Sequence, residues 1–263
     1  MHAPEPDRQT VSDSSERSDT AGLRSVRGVF EGLGRDDPMY AALSRNASRG
    51  NRWDPEAFFE TGRTEIGDVM SYVASLGLPL QRGRALDFGC AVGRLTQALA
   101  DHFRETVGVD IATSMVERAR EYNAHGDRVT YVANAAPDLS LFDSASFDFI
   151  YSNKVLQHIP PENQLGYMRE FVRVLRPGGV AVFQTRNGPV VRPGTPRALL
   201  YRLNRMYFRR FAQRIRGRPA YEMHYAARAR VEEEVCAAGG RIVDVVDLSR
   251  GRPSKSLRYC VVR

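Results

Sequence analysis

The pattern that most restricts what this chain can fold into is a series of short, β-rich apolar segments separated by helical ones. The segments are Ala85–Phe88, Thr106–Val109, Val129–Val132, Phe147–Tyr151 and Val180–Gln184, and helices fit at about 93–103, 113–123 and 161–175. Alternation of this kind fits a parallel sheet covered on both faces, whose strands have no polar side to show. Two further strands, Arg241–Leu248 and Ser256–Val262, flank a turn-rich stretch with hairpin spacing, which adds an antiparallel member. The predicted class is therefore α/β, with a doubly wound sheet.

Length and composition set the rest of the frame. A chain of 263 residues suits one large domain, here read as 81–263. Residues 1–28 are rich in Ser, Asp, Glu, Arg and Pro and are expected to form a disordered tail. Residues 29–80 read as helical: Tyr40 and Leu43 follow Pro38, Gly50–Asn51 makes a break, and Asp54–Pro55 opens a helix. In that helix Phe58, Ile66, Val69, Met70, Val73 and Leu76 recur at helical spacing. No apolar run reaches the ~18 residues of a membrane span, and the N-terminus lacks the order of a signal peptide, so a cytoplasmic protein is expected. Cys90, Cys236 and Cys260 form no CxxC pair, and no carboxylate–histidine cluster has ligand spacing; no metal is expected.

The basic residues are almost all arginine, with Lys154 and Lys255 the only lysines, a bias that lowers the weight of any single Arg as a selected ligand. Ten arginines and no acidic residue fall between Arg186 and Pro219, so the excess charge belongs to one segment. Within it, 196–216 sets Leu199, Leu203, Met206, Tyr207, Phe211 and Ile215 on one helical face, with arginines mainly opposite. A packed helix, a peripheral contact with an anionic membrane, a grip on an acidic substrate or a contact with nucleic acid all fit that pattern.

Residues 84–94 run a strand into Gly89 and Gly93 and then a helix, a turn that lets a ligand approach the backbone at the C-terminal edge of a sheet. The dinucleotide fingerprint G-x-G-x-x-G fails, because Ala91 and Arg94 stand where it needs glycine. The stretch instead resembles motif I of the class I S-adenosylmethionine-dependent methyltransferases, an acidic residue before G-x-G-x-G: Asp87, Gly89 and Gly93 match, and Ala91 replaces the middle glycine.

Three more segments carry the resemblance. Asp110 ends the second strand, twenty-one residues beyond Gly89, where a carboxylate can accept hydrogen bonds from ribose hydroxyls; its other reading is a helix cap. Ile111 and Met115 would flank adenine, or belong to the core. Asn134, followed by Ala135, stands where the family reaches the adenine amino group, and would otherwise be a turn former. Finally, 147–160 and 173–179 are similar to the post-motif segments of small-molecule methyltransferases of the methyltransferase-11/12 type.

The resemblance implies a Rossmann-like seven-stranded sheet of order 3-2-1-4-5-7-6 with strand seven antiparallel, N-terminal helices as a lid, and a helical cap insertion at 186–222. It implies S-adenosylmethionine as cofactor, bound by Asp87, Gly89, Cys90, Ala91, Gly93, Asp110, Ile111, Met115, Asn134, Ala135 and Asn153. Trp53, Phe58 and Phe59 are lid candidates that could face the sulfonium, and Arg63 could bind the methionyl carboxylate. His158, after the fourth strand, and His224 are the candidate general bases, and His158 could equally pack or position the cofactor. The implied partner is a small-molecule acceptor, apolar or acidic: a natural product, lipid or quinone-like compound. Nucleic acid is not expected, because no added RNA-binding module and no Asn/Asp-Pro-Pro-Tyr signature is present. Methylation of RNA or protein, or a non-catalytic role using 196–216, are the competing readings.

Overall fold

The computed structural model describes residues 8–189, 223–249 and 254–263. Seven strands form one sheet of order β3-β2-β1-β4-β5-β7-β6. They are β1 (Arg84–Phe88), β2 (Glu105–Asp110), β3 (Val129–Ala133), β4 (Phe147–Ser152), β5 (Leu175–Pro189), β6 (Arg241–Asp247) and β7 (Ser254–Val262). Pairings from β3 across to β5 are parallel, while β7 runs antiparallel to both β5 and β6. The predicted sheet and its order are what is seen.

Period-two alternation sorts the sheet's side chains onto two faces. Leu86, Phe88, Ile150, Ala181 and Phe183 turn to one core, built with α6 (Pro161–Val174) and α7 (Arg228–Ala237). Ala85, Phe149, Tyr151, Val180 and Val182 turn to the other, against α3 (Pro55–Ser75) and α4 (Arg94–Leu99). Helix α3 forms as its sequence prescribes: the Asp54 carboxylate accepts the Ala57 N–H at 2.8 Å, Pro55 opens the first turn, and Phe58, Ile66, Val69, Met70 and Val73 form its buried stripe.

The N-terminus departs from expectation. Helix α1 (Arg8–Asp36) occupies most of the segment read as a disordered tail, and α2 (Pro38–Ala42) follows it. Its final turns are held by Leu23, Val26, Phe30 and Leu33, whose three- and four-residue spacing makes a narrow apolar stripe inside a polar composition. Leu23 is buried in the core shared with α6, and Gly34 lies tight against Ser114 of α5 (Thr113–Glu121), where a Cβ would collide with the serine side chain. The proposed cap helix and the basic face at 196–216 lie outside the described residues; of the 186–222 insertion, 186–189 extend β5. Among the described residues no helix is long and apolar enough to cross a membrane.

Candidate active site

The site lies where β1, β2 and β4 end. After Phe88 the chain turns sharply: the N–H groups of Gly89 and Cys90 both donate to the Val109 carbonyl, at 2.8 and 3.0 Å, and Gly93 donates to the Cys90 carbonyl at 2.9 Å. Gly89, Ala91 and Gly93 hold φ of 78°, 46° and 84°. Glycine adopts such values freely, but Ala91 does so at a cost of roughly 1–2 kcal/mol. Its compensation is local, because the Ala91 N–H donates to Asp110 Oδ2 at 2.9 Å.

Asp110 is thereby fixed at the end of β2, its Oδ1 accepting the Ala112 N–H at 2.9 Å. Burial pushes its carboxyl above the usual range, against the lowering pull of these backbone donors. The capping alternative falls to another residue. The first N–H groups of α5 are taken by Glu31 of α1, which accepts from Thr113 at 2.8 Å and Ser114 at 3.1 Å. Burial raises the Glu31 carboxyl, but those hydrogen bonds outweigh it and leave it below its ordinary value. Asp110 lines a cavity of about 400 Å³, a size suited to a small-molecule ligand.

That cavity brings together Gly89, Cys90, Ala91, Asp110, Ile111, Met115, Asn134, Asn153 and His158 of the predicted residues. Met115 is fully buried and forms its base. Asn134 folds back into a turn, its amide donating to the Asp138 carbonyl at 2.7 Å and its oxygen accepting from Ala136 at 3.0 Å, so the turn-former reading describes most of its bonding. Asp87 and Gly93 sit beneath the loop rather than in its wall. Thr96 donates to Asp87 at 2.7 Å, and burial raises that carboxyl to about 7. Gly93 packs on the Tyr131 hydroxyl with no room for a Cβ. Ala135 is exposed and outside the wall.

Two lid candidates are displaced. Arg63 is exposed, pairs with Glu60, and lines a second cavity of about 350 Å³ beside Phe59 and Tyr122. It falls off the buried stripe of α3, so it cannot turn inward. Trp53 stands one layer back, donating to the Leu43 carbonyl at 3.1 Å with Arg45 over its ring, and its neighbour Phe58 is fully buried beside it. The wall that N-terminal residues do supply comes from Leu23, Val26 and Phe30 of α1 and from Ala41–Ser44.

A buried cation that reaches the cavity is Arg94, the first residue of α4. It is 6% exposed and donates to Glu65 at 2.8 Å and to Thr61 at 3.3 Å. Glu65 also accepts from Tyr151 at 3.0 Å and Asn153 at 2.6 Å. Burial works to raise the Glu65 carboxyl, yet the Arg94 charge and these donors hold it below its ordinary value. One carboxylate thus ties the loop helix, β4 and the residue after β4 into a rigid frame. Adjacency of Arg94 to Gly93 was the available signal, hidden by the arginine bias.

His158 closes the 3₁₀ turn Leu156–His158, its ring edge-on to Phe30 with centroids 5.6 Å apart. Arg186 donates to Gln157 Oε1 at 2.9 Å, which assigns the Gln157 amide nitrogen, 3.2 Å from His158 Nε2, as the donor of that pair. His224 stays outside the cavity wall, its backbone N–H donating to the Gln157 carbonyl at 2.8 Å, while Met223 lines the wall. Among the described residues no group of three or more His, Cys, Asp or Glu could hold a metal ion.

A sheet of order 3-2-1-4-5-7-6 with a glycine loop after β1 and an acid at the end of β2 defines the class I methyltransferase architecture. Residues 86–183 match the family model described as "Methyltransferase domain". The ubiquinone biosynthesis O-methyltransferase of Bordetella avium is 29% identical over 136 residues, which are 51% of this chain and 56% of that protein. The biotin biosynthesis bifunctional protein BioHC of Cellvibrio japonicus is 39% identical over 106 residues, 40% of this chain and 20% of that one. The chain thus spans a little over half the length of the ubiquinone relative it matches. The crystal structure of magnesium protoporphyrin IX methyltransferase from Synechocystis PCC 6803 with bound SAH superposes with a TM-score of 0.59 at 19% identity, covering 90% of this chain and 98% of that one, which is a likeness of fold.

Proposed function

We propose that the protein transfers a methyl group from S-adenosylmethionine to a small-molecule acceptor. The observation that carries this reading is the Asp110 carboxylate, held by two backbone N–H groups of its own loops and relieved of helix capping by Glu31. Its remaining lone pairs match the two hydroxyls of a ribose, and the donor set around it fits that cofactor. The reading assigns a methionyl carboxylate to Arg94, which lines the cavity, rather than to Arg63, which does not, and Asn153 donates to Glu65. The cofactor would supply a methyl group on a positively charged sulfur, a leaving group that needs little help. The protein's part is alignment and exclusion of water, which positioning can make worth several kcal/mol.

For a hydroxyl acceptor, His158 is the base this cavity offers. Arg186 fixes the Gln157 amide and Gln157 donates to Nε2, which keeps that nitrogen unprotonated; its single lone pair reaches an acceptor O–H once that hydroxyl displaces the Gln157 N–H. The acceptor enters between α1 and the turn after β4, a wall of Val26, Phe30, Leu43, Ile159 and Met223, so its body is apolar. The names of the ubiquinone and porphyrin relatives agree with a small, largely apolar acceptor. Three free thiols, at Cys90, Cys236 and Cys260, suit the reducing cytoplasm.

The test is calorimetric titration with S-adenosylmethionine and S-adenosylhomocysteine. Micromolar binding by the wild type, lost in Asp110→Ala, is expected. No binding by the wild type, or equal binding by the variant, would overturn the reading.

A further inference from the structure

Among the described residues, three charged side chains reach the cavity besides the His158 imidazole: Arg94, Asp110 and Lys154. Arg94 is neutralised by Glu65, and Asp110 is committed to the glycine loop. Lys154 is different. It is the second residue after β4, and no described carboxylate pairs with it, whereas the other lysine, Lys255, lies 4.0 Å from Asp247.

The backbone at Lys154 is held in a conformation that costs energy. Its φ is 64°, in the left-handed region where Gly or Asn would sit more easily. The Lys154 N–H donates to Gln184 Oε1 at 3.1 Å, and Gln184 is in turn held by Ser256 of β7. Strain of this sort persists only where the surroundings impose it, and it gathers at ligand sites. Residue choice points the same way, because this chain uses arginine almost everywhere and yet has lysine here. A compact ammonium on a flexible stem, at the exposed mouth of an apolar cavity, suits a single anionic group.

We infer that the acceptor carries an anionic group, such as a carboxylate, on its apolar body, and that Lys154 is the residue that selects for it. This rests on the cavity being the acceptor site of the proposed methyltransferase. Lys154 then sets orientation: the anion stays at the mouth, and the apolar body lies inward along Phe30 and Ile159 toward His158.

The test uses two fluorescent probes that differ only in charge, 6-hydroxy-2-naphthoate and 6-hydroxy-2-naphthamide. Each is titrated into the whole protein with and without saturating S-adenosylhomocysteine. The wild type is expected to hold the acid about tenfold or more tighter than the amide, with a preference that shrinks as salt rises. Lys154→Gln should equalise the two probes by weakening the acid alone, and Lys154→Arg should restore most of the preference. Equal affinity of the wild type for both probes, binding of neither, or a preference that survives in Lys154→Gln overturns the inference. If S-adenosylhomocysteine fails to bind while the Lys154-dependent preference persists, the methyltransferase reading falls and the anion site stands.

Discussion

Replacing Gly89 with alanine tests whether the loop after β1 is set by backbone conformation and by the close approach of β4's next turn. A Cβ on Gly89 would lie 2.5 Å from Val155 Cγ1 and 2.9 Å from its Cβ, in a backbone already at φ 78°. The left-handed conformation costs alanine roughly 1–2 kcal/mol, and the overlap, an overpacking error, adds about 1–3 kcal/mol. Gly89→Ala should therefore lose about 2–5 kcal/mol, a large share of the stability of a domain this size. Val155→Ala removes two partly buried methyl groups and should lose about 1 kcal/mol. The double variant keeps the backbone cost and the 2.9 Å approach to the Cβ of residue 155, but loses the two closer overlaps with the valine methyl groups. Its loss should be smaller than the sum of the two single losses by about 1–3 kcal/mol. Urea unfolding of all four proteins, with slopes compared to confirm a common transition, measures this coupling. Additivity within about 0.5 kcal/mol would refute the close-approach argument and leave conformation alone as the reason for glycine.

Other elements make separate predictions. Glu31→Ala should cost about 1 kcal/mol by leaving the first N–H groups of α5 without their acceptor, and should speed amide exchange at Thr113 and Ser114; unchanged exchange there would contradict the docking of α1. Asp87 titrates at about 7 when folded against an ordinary 3.8, so the unfolded chain binds fewer protons between those values. The contribution of Asp87 to stability therefore falls as pH rises from about 4 to about 7 and is flat above. Asp87→Asn, whose amide oxygen can still accept from Thr96, should remove that slope, and parallel wild-type and variant profiles from urea midpoints at pH 5 and 7.5 would disprove it. His158→Gln should lower kcat for a hydroxyl acceptor about 10²–10³-fold while S-adenosylhomocysteine binds as before; an unaltered rate would reduce His158 to a packing residue.

What could be read from the chain beforehand, and what could not, divides along a physical line. The strands were legible because a segment buried on both faces must be largely apolar, and Val180–Phe183 can hardly be anything else. Gly89, Gly93 and Asp110 were legible because their duties concern backbone conformation and the end of one strand. The residues that were missed work across the fold. Glu31 caps a helix 82 residues later, and Glu65 braces Asn153 across 88 residues, so no local pattern announces either. Arg63 and Arg94 show the same limit in reverse. On sequence grounds the two were interchangeable arginines, and only the rotation of α3, which buries Gly62 and Ile66 and leaves Arg63 outward, decided between them. A helix of ordinary geometry turns about 100° per residue, so a one-residue offset suffices to exchange a ligand for a surface charge. The apolar stripe of α1 was lost to averaging: three of its well-spaced side chains, Leu23, Val26 and Phe30, close one wall of the cavity, yet they are too few to alter the composition of the segment that holds them.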